Sequence, residues 1–180
     1  MAQYELAYKI GRKNEGGYVN SPSTDKGGET YCGISRNFFP DWIGWSIVDA
    51  HKPLKRYDII DDPVLEQHIF EFYKANKWDK IKGDGIMSNG VATYFYDWTL
   101  TSGGAIKKVQ NELGVSADGI FGNGSLSALN DKGSSFLTQL HNLRVGYYRH
   151  IVDNDPNQSV NLAGWLNRAN DTFEYAKSLG

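Results

Sequence analysis

Apolar and polar positions alternate with a helical period through most of the chain. Tyr4, Leu6, Ala7 and Ile10 set a roughly helical pattern over residues 3–14, and Gly16-Gly17 stops it, glycine being the favoured C-terminal residue. The pattern then changes. From Tyr18 to Ile34 come Asn20-Ser21-Pro22-Ser23, Lys26-Gly27-Gly28 and Tyr31-Cys32-Gly33-Ile34, where turn residues separate short β-capable runs, which predicts a small hairpin or three-stranded sheet. Helical spacing resumes over residues 41–50. It restarts at Asp62-Pro63, an N-cap followed by proline at the first helical position, with Val64, Leu65, His68, Ile69 and Phe72 keeping the period towards Trp78. Residues 80–89 are polar and contain glycine, and they are the natural boundary. Further helices are predicted over 91–101, 105–113 and 125–130, and two longer amphipathic ones over 134–153 and 161–178.

The pattern describes an α+β chain, mostly α, helical with one small antiparallel sheet in the first third. Two regions follow, 1–85 and 86–180. No Pro- or Ser-rich linker separates them, so the expectation is that they pack as one globular unit. With 180 residues and 40% apolar side chains the chain has material for a core.

Composition narrows the function classes. Nineteen Lys and Arg against 21 Asp and Glu leave a net charge of -2, which disfavours a general nucleic-acid or membrane-surface binder. The single cysteine, Cys32, rules out an intrachain disulfide and a Cys-rich zinc site, and the four histidines are scattered, so neither metal nor other cofactor is expected. Residues 1–14 lack a continuous apolar stretch, so no secretory signal is read, and no run approaches a membrane span. Five Trp and eleven Tyr are an unusual aromatic load. Such side chains serve sugar-binding grooves, although most simply pack in cores.

The chemistry concentrates in Glu15-Gly16-Gly17-Tyr18-Val19-Asn20 and Asp25-Lys26-Gly27-Gly28-Glu29-Thr30-Tyr31-Cys32-Gly33-Ile34. A carboxylate stands where a helix stops against two glycines, with an aspartate ten residues on and a threonine five further. An inverting glycosidase needs such a set: one carboxylic acid protonates the leaving oxygen, a second carboxylate about 6.5–9.5 Å away activates water, and a hydroxyl can orient that water. On spacing alone, a solvated helix-end glutamate and an ordinary turn are the commoner explanation of these residues. Glu29 adjoins Thr30 but points to the opposite face if the segment is a strand, which makes it a poor catalytic choice.

The same two runs resemble the signature of glycoside hydrolase family 108, whose members include phage and prophage endolysins and secretion activators, proposed to be N-acetylmuramidases of lysozyme-like fold. The second half is similar to the peptidoglycan domain that follows there, through Asp97, Gly103-Gly104, Val109-Gln110, the Asp118-Gly119-Ile120-Phe121-Gly122 turn and Gly164-Trp165-Leu166-Asn167-Arg168. The resemblance implies Glu15 as general acid, Asp25 as general base and Thr30 as the water-orienting hydroxyl. Relative to phage-type lysozymes the first interval is one residue longer and the second one shorter, so Glu15 and Thr30 keep their separation. Tyr18, Asn20 and Asp97 are candidate substrate-binding residues. For Asp97, set among Tyr94, Phe95, Tyr96 and Trp98, the alternative is a structural acid satisfied by arginine or backbone.

The expected activity is hydrolysis of peptidoglycan glycan strands. The alternatives are a peptidoglycan-associated secretion activator with weak or no hydrolysis, and a lytic transglycosylase using Glu15 alone. A protein made in the cytoplasm without a signal would act on the wall only after release, through a holin or an export system.

Overall fold

The computed structural model describes residues 1–20 and 28–180. The described chain is mostly helical, with one three-stranded antiparallel sheet early in the sequence, the class that the pattern predicts. It divides into two compact units: Arg12–Tyr73, and Met1–Gly11 together with Lys74–Gly180. The division does not follow residue 85, because the first helix, α1 (Tyr4–Asn14), contributes its N-terminal turns to the second of these units.

In the unit Arg12–Tyr73, β1 (Tyr18–Asn20), β2 (Glu29–Tyr31) and β3 (Ile34–Ser35) lie in that order. Tyr18 stands opposite Tyr31, and Tyr31 opposite Ile34. The period of two puts Tyr18, Asn20, Glu29 and Tyr31 on one face and Val19 and Thr30 on the other. The β2–β3 connection is Cys32-Gly33 alone, with φ of 49° and 79°. Two left-handed residues in a two-residue hairpin define the turn whose twist matches that of the strands.

Helical spacing over 41–50 yields only α2 (Trp45–Ala50). Upstream, the Trp42 ring covers the α-carbon of Gly44, and the Trp45 indole donates to the Phe39 carbonyl at 2.8 Å, so local turn contacts stand in place of the first helical turn. The start at Asp62-Pro63 forms as predicted: Asp62 Oδ1 accepts the amides of Val64 (2.8 Å) and Leu65 (2.9 Å) at the head of α3 (Pro63–Tyr73). Leu65, Ile69 and Tyr73, each four apart, bury one face. As an α-helix it ends at Tyr73. It widens into a π turn over Lys74–Trp78, followed by short 3-10 turns over Asp79–Ile81 and Gly83–Gly85. Trp78 is fully buried, its indole N–H bonded to Asp84 at 2.7 Å.

The other unit is built around α4 (Asn89–Thr101), capped by Ser88 and buried at every position from Gly90 to Thr99. It is followed by α5 (Ala105–Leu113), α6 (Asn123–Lys132), α7 (Phe136–Asn154) and α8 (Ser159–Lys177), and α7 and α8 pack on each other and on α4. Gly90 permits one close approach, since a Cβ there would lie 2.5 Å from the Ala176 carbonyl oxygen. Tyr4 of α1 packs its ring against Trp78 and Tyr96, with centroids 5.4 and 5.7 Å away.

Candidate active site

Glu15 follows α1 directly and is half-buried. Its backbone is clamped from both sides. The Glu15 amide donates to the Arg12 carbonyl (3.2 Å), and Arg12 Nη1 donates back to the Glu15 carbonyl (3.1 Å). The same guanidinium forks onto Glu66 of α3 through Nε (3.0 Å) and Nη2 (3.1 Å), so the helix end is tied to α3 by a bidentate pair.

The glycines after Glu15 let the chain turn into the sheet at close quarters. Gly17 rests against the carbonyls of Tyr57 and Asp58, where a Cβ has no room. Tyr18 N–H donates to Asp58 (2.9 Å), Tyr57 N–H to Tyr18 (2.7 Å), and Cys32 N–H to Gly17 (3.1 Å). These bonds place the β2–β3 turn under the helix end. At that turn a Cβ on Gly33 would fall 2.5 Å from Glu15 Oε2 and 2.7 Å from the Tyr73 hydroxyl oxygen. The Tyr73 hydroxyl donates to the Cys32 carbonyl at 2.6 Å. A carboxylate and a phenol from distant parts of the chain thus meet over one glycine.

Tyr73 had no signal in the sequence beyond its place on the buried face of α3. Cys32 is fully buried, and burial pushes its thiol up to about 11, so it is a packed side chain and no nucleophile at neutral pH.

The other sequence candidates fare differently. Thr30 lies in the middle of β2, half-buried, opposite Val19 and Ser35. Asn20 is exposed at the end of β1, and Asp25 lies outside the described residues. Tyr18 is buried, and its hydroxyl is committed to Glu29 at 2.8 Å, so it braces the sheet instead of offering a surface to a sugar. Glu29 pairs with Arg36 and Lys52, and both cations also reach Asp49. Burial raises the Glu29 carboxyl, but the bonds from Lys52 and Tyr18 and the charges of Arg36 and Lys52 outweigh it and hold it below its ordinary value. A carboxylate so held is a poor proton donor.

Asp97 is corrected from a groove residue to a structural anion. It is 0% exposed, with Arg144 of α7 and Arg168 of α8 both at 2.9 Å and the Thr172 hydroxyl at 3.2 Å. Both its oxygens are used inside the helical unit, which leaves none for a ligand. The Asp118-to-Gly122 turn is likewise pinned from within. Gln110, buried in α5, donates to Asp118 Oδ1, the Ile120 carbonyl and Ser125 Oγ, and accepts the Gly119 amide. Trp165 stacks on Tyr148 at 5.3 Å. Among the described residues no group of three His, Cys, Asp or Glu side chains is placed to hold a metal ion.

In chain order, a helix that ends at a glutamate over a small antiparallel sheet precedes a series of helices. Residues 9–103 match the family described as glycosyl hydrolase 108, and residues 104–170 match a "Predicted Peptidoglycan domain". The chain belongs to glycosyl hydrolase family 108. Its fold is similar to that of the solved structure of Brucella abortus SagA, with a TM-score of 0.68 and 24% identity over 98% of this chain and 94% of that one. A search of curated proteins finds no match.

Proposed function

We propose that the protein is an N-acetylmuramidase that cleaves peptidoglycan glycan strands by general acid–base catalysis, with Glu15 as the acid. The observation that carries the reading is the seating of the Glu15 carboxylate over Gly33 beside the Tyr73 hydroxyl, in a chain of this family. A general acid must reach the leaving oxygen and keep its geometry while the proton moves. The Arg12 clamp and the tight turn supply that fixed geometry without enclosing the half-buried side chain.

Asp25 is assigned the general base and Thr30 the hydroxyl that orients the attacking water, an assignment that rests on the spacing and the family resemblance. The inverting route needs no covalent intermediate. Water adds to the anomeric carbon as the glycosidic bond breaks, Asp25 takes a proton from the water, and Glu15 gives one to the departing oxygen. The peptidoglycan domain over 104–170 supports the polymer as substrate. The wall lies outside the membrane, and delivery through a holin or an export system is part of this proposal.

The test is release of soluble muropeptides from purified walls. Glu15→Gln keeps the shape and removes the proton, and is expected to lose at least about a hundredfold in rate. Wild-type release of products with free reducing ends of inverted configuration supports the assignment. Anhydro ends point to a transglycosylase using Glu15 alone, and wall binding without release points to a non-hydrolytic secretion activator.

A further inference from the structure

The helical unit holds a cavity of about 430 Å³, remote in sequence from Glu15, walled by the 76–82 segment, the end of α4, α5 and the 118–121 turn. Its walls come from both matched families: Lys77, Lys80, Lys82 and Ser102 from the glycosyl hydrolase stretch, Ile106, Ile120 and Phe121 from the peptidoglycan stretch. All of it lies within one compact unit. The volume falls in the range of pockets that enclose a small ligand.

Charge and polarity specify the occupant. Lys77 is held at the wall by its bond to the Thr99 carbonyl (2.9 Å). Lys80 and Lys82 are exposed and enter no ion pair among the described residues, whereas Asp79, the carboxylate beside them, is neutralised by Lys74 at 2.8 Å. Asp118, at the start of the facing turn, is occupied by Gln110 and the Ile120 amide. The site is therefore net cationic.

Apolar Ile106 and Phe121 also line the cavity, and Ile120 stands 73% exposed on a turn that Gln110 bonds from within. The Ser102 hydroxyl is buried with no partner among the described residues, an unmet hydrogen bond at the cavity wall.

We propose that this cavity binds the peptide stem of peptidoglycan, a short chain that carries free carboxylates and alanyl methyl groups. The inference rests on peptidoglycan being the substrate. The carboxylates pair with Lys80 and Lys82, the methyl groups lie on Ile106, Ile120 and Phe121, and Ser102 bonds a stem amide. The glycan itself offers no fixed charge once its lactyl carboxyl is amide-linked, so the lysines select the stem. The cavity is thus a second substrate site, carried by the helical unit.

The test titrates the isotope-labelled full chain with a synthetic stem tetrapeptide bearing free carboxylates, followed by amide NMR shifts. Saturable shifts at Ser102, Gly103, Gly119 and Ile120 are expected. Lys80→Glu combined with Lys82→Glu, both exposed and so tolerated by the fold, should weaken binding at least about tenfold, and so should amidation of the peptide carboxylates. Shifts absent from these amides, equal binding by the double variant, or equal response to inorganic phosphate would overturn the proposal. Muropeptide release by the wild type is measured alongside. Release without stem binding defeats this site and leaves the hydrolase reading standing, whereas stem binding without release does the reverse.

Discussion

The α-carbon of Gly33 lies directly under the carboxylate of Glu15: a Cβ there would come within 2.5 Å of Oε2. Two constraints coincide at this position. The turn needs a left-handed residue, φ being 79°, and the acid needs the space that a side chain would fill. A glycine answers both, which joins the geometry of a hairpin to the position of the proposed proton donor.

Gly33→Ala is therefore expected to cost about 1–2 kcal/mol from the left-handed backbone. Its larger effect should fall on catalysis, since displacing the carboxylate by an ångström can cost on the order of a hundredfold. Thermal unfolding and muropeptide release, measured on the same preparation, separate the two. A variant losing stability but not rate would detach Gly33 from the Glu15 geometry.

Asp97→Ala removes the anion between two arginines and leaves Arg144, itself 0% exposed, without its charge partner. The expected destabilisation is about 3–5 kcal/mol in denaturant unfolding. Asp97→Asn keeps the shape and should fall between wild type and alanine. If Asp97 bound substrate instead, Asp97→Asn would raise KM with little change in unfolding.

The Glu29 cluster predicts a particular acid limb. Its folded carboxyl sits below the unfolded value, so its contribution is present above the unfolded value of about 4.3 and drains away as pH falls through the lower, folded one. Asp49 is lowered in the same direction, mainly by its bonds to Arg36 and Lys52. The pair faces solvent in part, so the effect should be ~1 kcal/mol or less. Denaturation midpoints from pH 6 to pH 2 should fall less steeply in Glu29→Gln than in wild type. Parallel curves would remove Glu29 from the acid response.

A fragment ending at residue 85 is expected not to fold. Tyr4 and Gly11 of α1 are covered by Tyr96 and Leu100 of α4, which such a fragment lacks. Circular dichroism of the fragment should show little cooperative melting. The whole chain should give one calorimetric transition, and a stable, sharply melting 1–85 fragment would contradict this.

Local order was largely legible from the residues alone. The α3 start at Asp62-Pro63, the extent of α5 and the stop after Asn14 all follow from spacing, caps and glycines within a few positions, because helix and turn propensities act over that range. Glu15 could be singled out for the same reason, standing at a helix end that the sequence itself marks.

What only the tertiary structure decided involves partners far apart in the chain. Gly33 reads as an ordinary turn glycine until Glu15 is seen above it, and Tyr73 as a core tyrosine until its hydroxyl reaches Cys32. Gln110 carries no periodic signal, yet it holds the 118–120 turn, and Asp97 takes its meaning from Arg144 and Arg168. The end of α3 and the division into compact units also escape local reading, because burial of Trp78 and packing of Tyr4 on Tyr96 override the helical period and the polar stretch near residue 85. Periodicity reports which face of an element is buried. It is silent on which distant side chain that face will meet, and the chemistry proposed for Glu15 depends on that meeting.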